Sequence, residues 1–205
     1  IHTYYSDKTQ PYRYSGYLIF VEEVASTCNE CLLNHYLLEH ETEAKNRNYI
    51  LNHYLENFRT TLFRQTMFAE FEKIVHEKTA LGESLTKDEL NKIYHDLNVR
   101  YYGPDVVVDN EIDYEWMRIP HFYTAFYVYQ YATGFSAAVA FSKKILEEGQ
   151  PAVDRYVKEF LSGGCSKDPI DLLAAAGVDM STPHPVEDAL SVFAKYLDEF
   201  EKQMV

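Results

Sequence analysis

The chain has 205 residues, with 19 Lys and Arg against 32 Asp and Glu and a formal net charge of −13. That length suits one domain or two small ones around a sizeable core, and the acid excess argues against a nucleic-acid groove or an anionic membrane surface, both of which recruit Lys and Arg. An apolar fraction of 46%, with 8 Gly and 7 Pro, excludes disordered and low-complexity architectures, and an odd count of 3 Cys gives no disulfide framework and fits a reducing, cytoplasmic compartment.

The chain opens on Ile1 with no charged-then-apolar leader, so a longer polypeptide is expected around it. Apolar residues then recur at helical spacing over 17–41, through Leu18, Val21, Val24, Ala25, Leu32 and Leu38. A second amphipathic run covers 43–80. Thr86 and Glu89 form a capping-box pattern at the head of a third helix, which ends near Gly103 and Pro104. The stretch 104–120 reads as irregular, with Val106 to Val108 its only strand-like run. Helices follow over 121–148, 151–161 and 169–176, and Pro183 and Pro185 introduce a last amphipathic helix. With no repeat or linker in view, residues 1–205 read as a single all-α unit.

The span 119–142 carries no Lys, Arg, Asp or Glu and is long enough for a bilayer. His121, Gln130 and several Tyr and Thr residues would place polar groups throughout hydrocarbon, so a helix buried within protein is the better reading, and no membrane is expected.

Four patterns carry chemistry. Glu23, Thr27, Glu30 and Asn34 share one helical stripe. A carboxylate there can ligate Zn²⁺, with a second orienting its neighbours, although the spacing alone favours an ordinary solvated face. Cys28 and Cys31 form a CxxC, but a structural zinc site needs four ligands and mid-helix cysteines are commonly small core hydrophobes. His35 and His40 are five residues apart, which turns the imidazoles away from each other and excludes an HExxH-type pair. Tyr123, Tyr127 and Tyr131 lie at i, i+4 and i+8 after His121, and such phenols can donate hydrogen bonds to a developing oxyanion or simply fill an aromatic core. The abundance of Tyr, 18 residues, suits a wet cleft that binds peptides.

The strings His2-Thr-Tyr-Tyr-Ser6, Gln10-Pro-Tyr12, Phe20-Val-Glu-Glu-Val-Ala-Ser-Thr27 with Asn29-Glu30, Leu33-Asn-His-Tyr36, Phe63-Arg-Gln-Thr-Met-Phe-Ala-Glu-Phe71, Tyr102-Gly-Pro-Asp105, Ile119-Pro-His-Phe-Tyr123 and Phe126-Tyr-Val-Tyr-Gln-Tyr-Ala-Thr-Gly-Phe-Ser136 occur in order along the chain. Together they resemble the C-terminal part of the oligoendopeptidase F group of zinc metallopeptidases, relatives of thimet oligopeptidase. The resemblance implies the all-α, C-terminal helical portion of a zincin-type oligopeptidase, acting on internal bonds of short peptides. It implies Glu23 as a zinc ligand and Glu30 as a carboxylate supporting the ligands. His121 and a tyrosine would stand over the substrate carbonyl, with Tyr131 the first choice, Tyr127 the second and Tyr123 behind them.

The family's HExxH helix, which supplies two further zinc ligands and the general base, is not in this sequence. The chain alone is therefore expected neither to bind zinc tightly nor to turn over peptides, and its partners are short peptides and the remaining part of the same protein. A non-enzymatic helical module that binds peptides through a Tyr-rich groove is the rival reading. An HExxH upstream in the reading frame would separate the two.

Overall fold

The computed structural model describes residues 1–204. It is helical, and no strand occurs among the described residues. Its internal contacts group into two compact units, one of Ile1–Phe58 with Thr133–Val205 and one of Arg59–Ala132.

In the first unit, α1 (His2–Thr9) precedes the short turn α2 (Ile19–Glu22), and α3 (Val24–His40) follows after a break at Glu23. α4 (Ala44–Asn57) packs against α3 and against α10 (His184–Met204). Most of α7 (Tyr129–Glu148) belongs here as well, with α8 (Gln150–Arg155), a π-helical turn over Tyr156–Leu161 and α9 (Pro169–Ala175). The core joins Val21, Val24 and Cys28 to Ala137, Ala138 and Phe141 of α7 and to Phe160, Leu172 and Leu173. The alanines let neighbouring elements approach α7 closely, and each fully buried Phe or Leu contributes about 1.5–3 kcal/mol of apolar transfer. Gly164 closes one seam. Its φ of +52° is left-handed, and a Cβ there would lie 2.1 Å from the Tyr14 carbonyl oxygen, which accepts the Cys165 N–H at 2.9 Å.

The second unit is built on α5 (Arg64–Ala80) and α6 (Lys87–Tyr102), which pack on each other, with α6 also against a 3₁₀ segment over Asn110–Arg118. Met67, Phe68 and Phe71 meet Tyr94, Leu97, Ile119 and Val128 in its core. The capping box forms as the sequence predicts. The Glu89 N–H donates to Thr86 Oγ1 at 3.3 Å, and the Thr86 N–H donates to Glu89 Oε2 at 2.8 Å.

Three sequence expectations change in detail. The run over 43–80 is not one regular helix, because a π-helical turn, Phe58–Phe63, stands between α4 and α5. The irregular stretch after Gly103 contains the 3₁₀ segment and no strand at Val106 to Val108. The charge-free helix begins at Tyr129 rather than His121. Pro120 opens a separate 3₁₀ turn, Pro120–Tyr123, and Phe126, at a φ of +57°, breaks any helix between that turn and α7.

Candidate active site

The carboxylate stripe lies in the first unit. The turn of α2 ends at Glu23, whose backbone sits at φ −85° and ψ −7°, and α3 resumes at Val24. Its carbonyl takes the Thr27 N–H at 3.0 Å and the Ser26 hydroxyl at 3.0 Å, so the local backbone is held without use of the side chain. Val24, Cys28 and Cys31 bury the opposite face of α3, while the side chains of Glu23 and Glu30 are exposed. Neither carboxylate has a hydrogen-bond or ion-pair partner among the described residues. A free, accessible carboxylate fits the role of one oxygen ligand to Zn²⁺. It does not make a site by itself, and no group of three or more His, Cys, Asp or Glu able to hold a metal occurs among the described residues.

The CxxC behaves as core. Burial pushes the Cys28 thiol up to about 12 and the Cys31 thiol up to about 11, which leaves both protonated and poor as nucleophiles or ligands. His35 lies 3.3 Å from Glu39, and His40 Nδ1 is 2.8 Å from the Tyr36 carbonyl oxygen, so these imidazoles have local partners.

The His and Tyr residues converge in the second unit, by a route the sequence spacing does not describe. Tyr123, Tyr127 and Tyr131 do not form one helical row, because only Tyr131 is in α7. The 3₁₀ turn and the left-handed residue at Phe126 fold the chain back on itself instead. This puts the Tyr131 hydroxyl 3.3 Å from His121 Nε2. The Tyr127 ring stacks on the imidazole at 5.6 Å and 21°, and it meets the Tyr131 ring edge-on at 5.6 Å. His121 is exposed and both tyrosines are half-buried, which leaves the polar ends accessible to a ligand. Tyr123, at 88% exposed, shares no hydrogen bond or ring contact with this cluster among the described residues. The Tyr131 hydroxyl and His121 Nε2 pair with each other at 3.3 Å, and with the imidazole proton on Nε2 both can turn a donor toward one carbonyl oxygen, as an oxyanion requires.

Sequence reasoning missed Glu72 of α5, a carboxylate only 4% exposed whose Oε1 accepts the Phe126 N–H at 2.6 Å. The two residues are 54 positions apart, and no local pattern marks the pair.

The model of peptidase family M3 matches residues 1–192. The chain belongs to this family. Among M3 peptidases, it is 57% identical over its full length to oligopeptidase PepF of Bacillus subtilis, covering 30% of that protein. It is 45% identical over 202 residues to the chromosomal oligoendopeptidase F of Lactococcus lactis subsp. cremoris, covering 33% of it. The structure of oligoendopeptidase-F from Enterococcus faecium superposes with a TM-score of 0.89 at 44% identity, with 99% of this chain and 37% of that one covered. The chain thus spans about a third of the length of the M3 relatives it matches, and its helical architecture is the one those structures show.

Proposed function

We propose that this chain is the C-terminal helical part of the catalytic domain of a zinc-dependent oligoendopeptidase, which hydrolyses internal bonds of short peptides in the cytoplasm. The observation that carries the reading is the convergence of Tyr131 and Tyr127 on His121, in a chain of family M3.

Glu23 is the metal ligand this chain contributes, and Glu30, two helical turns further, supports the ligand set. The two remaining protein ligands and the general base belong to an HExxH segment outside these 205 residues. Bound there, zinc would supply a water activated for attack on a carbonyl carbon. The chain's own residues act on the other atom of that carbonyl. Tyr131 donates its O–H to the substrate oxygen. His121, with its proton on Nε2, donates a second hydrogen bond to the same oxygen as negative charge builds there. Tyr127 stacks on the imidazole and limits its rotation, so the two donors need only exchange their mutual hydrogen bond for bonds to the substrate oxygen.

Alone, the 205 residues bring one ligand and the oxyanion donors, and they are expected to show no peptidase turnover. The test is zinc content and cleavage of an internally quenched peptide by the longest natural polypeptide containing this chain. Glu23→Ala is expected to lose most of the zinc and the activity together. Zinc retained in Glu23→Ala would refute the ligand assignment, and a zinc-loaded wild type that binds peptides without cleaving them would favour the peptide-binding module instead.

A further inference from the structure

The turn over 124–128 holds the one non-glycine residue among those described that stands in the left-handed region, Phe126 at φ +57°. Bulky residues avoid this conformation because Cβ crowds the backbone, so the turn needs something to hold it. Two side chains of α5 do so. Glu72 Oε1 accepts the Phe126 N–H at 2.6 Å, and a bond from an N–H to a buried carboxylate is among the stronger hydrogen bonds a protein makes. One helical turn along, His76 places its ring 4.6 Å from the Phe126 ring and its Nε2 3.9 Å from the same Glu72 oxygen. Backbone and side chain of Phe126 are therefore gripped from a single face of a regular helix. The residue that follows is Tyr127, and Tyr131 lies four residues further on, in α7.

We infer that Glu72 is a positioning residue, which holds the Phe126 turn and through it sets Tyr127 and Tyr131 against His121. Glu72 touches neither substrate nor metal in this account. Its effect on turnover rests on the functional reading above, whereas its grip on the turn does not.

The test uses the longest natural polypeptide containing this chain, loaded with zinc. Glu72→Ala is expected to lower kcat by about tenfold to a hundredfold, the usual result of small misplacement of catalytic groups, with KM and zinc content unchanged. Glu72→Gln keeps a carbonyl oxygen for the Phe126 N–H and is expected to retain most of the activity. Phe126→Gly, which adopts a positive φ without strain, is expected to recover several-fold of the loss when added to Glu72→Ala. A merely structural role would predict further damage from that second substitution. Unchanged kcat in Glu72→Ala, or no recovery by Phe126→Gly, would overturn the inference.

Hydrogen exchange at the Phe126 amide gives a readout independent of activity. It is expected to be slow in the wild type and fast in Glu72→Ala. If Glu72→Ala does not fold, slow exchange in the wild type supports the anchor, and exchange at the rate of an open amide overturns it. If the wild type cleaves no peptide, the functional reading falls and the exchange comparison alone decides the anchor.

Discussion

The two units solve the problem of order in different ways. In the first, the buried polar residues among those described are His2, Ser6, Ser136 and Ser142, all neutral or nearly so, and the core is held by the fit of Phe, Leu, Val and Ala. In the second they are Glu72, Asn91, Asn98 and Glu115, two of them carboxylates. Glu115 accepts from Arg64 at 2.5 Å, from Arg118, and from the Tyr94 hydroxyl at 2.6 Å, and Trp116 donates to Asn91 at 2.9 Å. The difference follows from the backbone. Regular helices satisfy their own N–H and C=O groups and need only an apolar face, whereas the left-handed turn leaves the Phe126 N–H to be met by a side chain, and the 3₁₀ segment is tied to its neighbours through Glu115 and Trp116. The unit that carries His121 and Tyr131 is the one whose carboxylate anchors, Glu72 and Glu115, are buried. Such anchors define a geometry more sharply than apolar packing does.

Substitutions that exchange shape for charge would break this contrast if it is wrong. The largest effect is expected at Phe160, which is fully buried with ring contacts to Phe141 at 5.3 Å and Tyr156 at 5.5 Å. Phe160→Ala should cost about 3–5 kcal/mol in urea unfolding, and Phe160→Leu less than half of that. Next comes Glu115→Ala, which strips one buried carboxylate from two guanidinium groups and a phenol. About 3 kcal/mol is expected, moderated because Arg118 is 74% exposed and can turn to water. Here the near-isosteric Glu115→Gln should still be costly, the reverse of the Phe160 pair. Equal tolerance of the two conservative changes would remove the distinction between the units.

A pH effect of about 2 kcal/mol, the full shift of roughly 3 kcal/mol reduced for solvent screening, should belong to the first unit. His2 stacks on Tyr17 at 3.8 Å, and among the described residues neither ring nitrogen has a partner. Burial lowers its imidazole from 6.5 to about 4. The folded value lies below the unfolded one, so the unfolded chain binds the proton more readily. Stability is then complete above about 6.5 and is lost as pH falls toward about 4. His2→Phe should flatten the unfolding free energy over that window. The smallest effect is expected at the head of α6, where Thr86→Ala removes the cap and should cost about 1 kcal/mol, read as a modest drop in urea midpoint.

What the sequence reveals of this molecule tracks the same division. The capping box at Thr86 and Glu89, the α10 amphipathic run and the burial of Cys28 and Cys31 are local or periodic signals, and all appear in the structure. The residues of the candidate site, His121, Tyr127 and Tyr131, are also legible as residues. Their arrangement is not, because an i, i+4, i+8 row assumes a helix that Pro120 and Phe126 interrupt. The left-handed turn depends on Glu72, and a bond spanning 54 residues leaves no trace in periodicity. The π-helical turn at Phe58–Phe63 is hidden because no Gly, Pro or other breaker marks it within the amphipathic run.

Tyr131→Phe tests most directly the proposal that Tyr131 and His121 together receive the substrate oxygen. The substitution deletes the hydroxyl that lies 3.3 Å from His121 Nε2 and keeps the ring that packs on Tyr127. In the longest natural polypeptide containing this chain, supplied with zinc, kcat on a quenched peptide is expected to fall by about a hundredfold or more with zinc content and KM little changed. Turnover equal to wild type at equal zinc content would contradict the account.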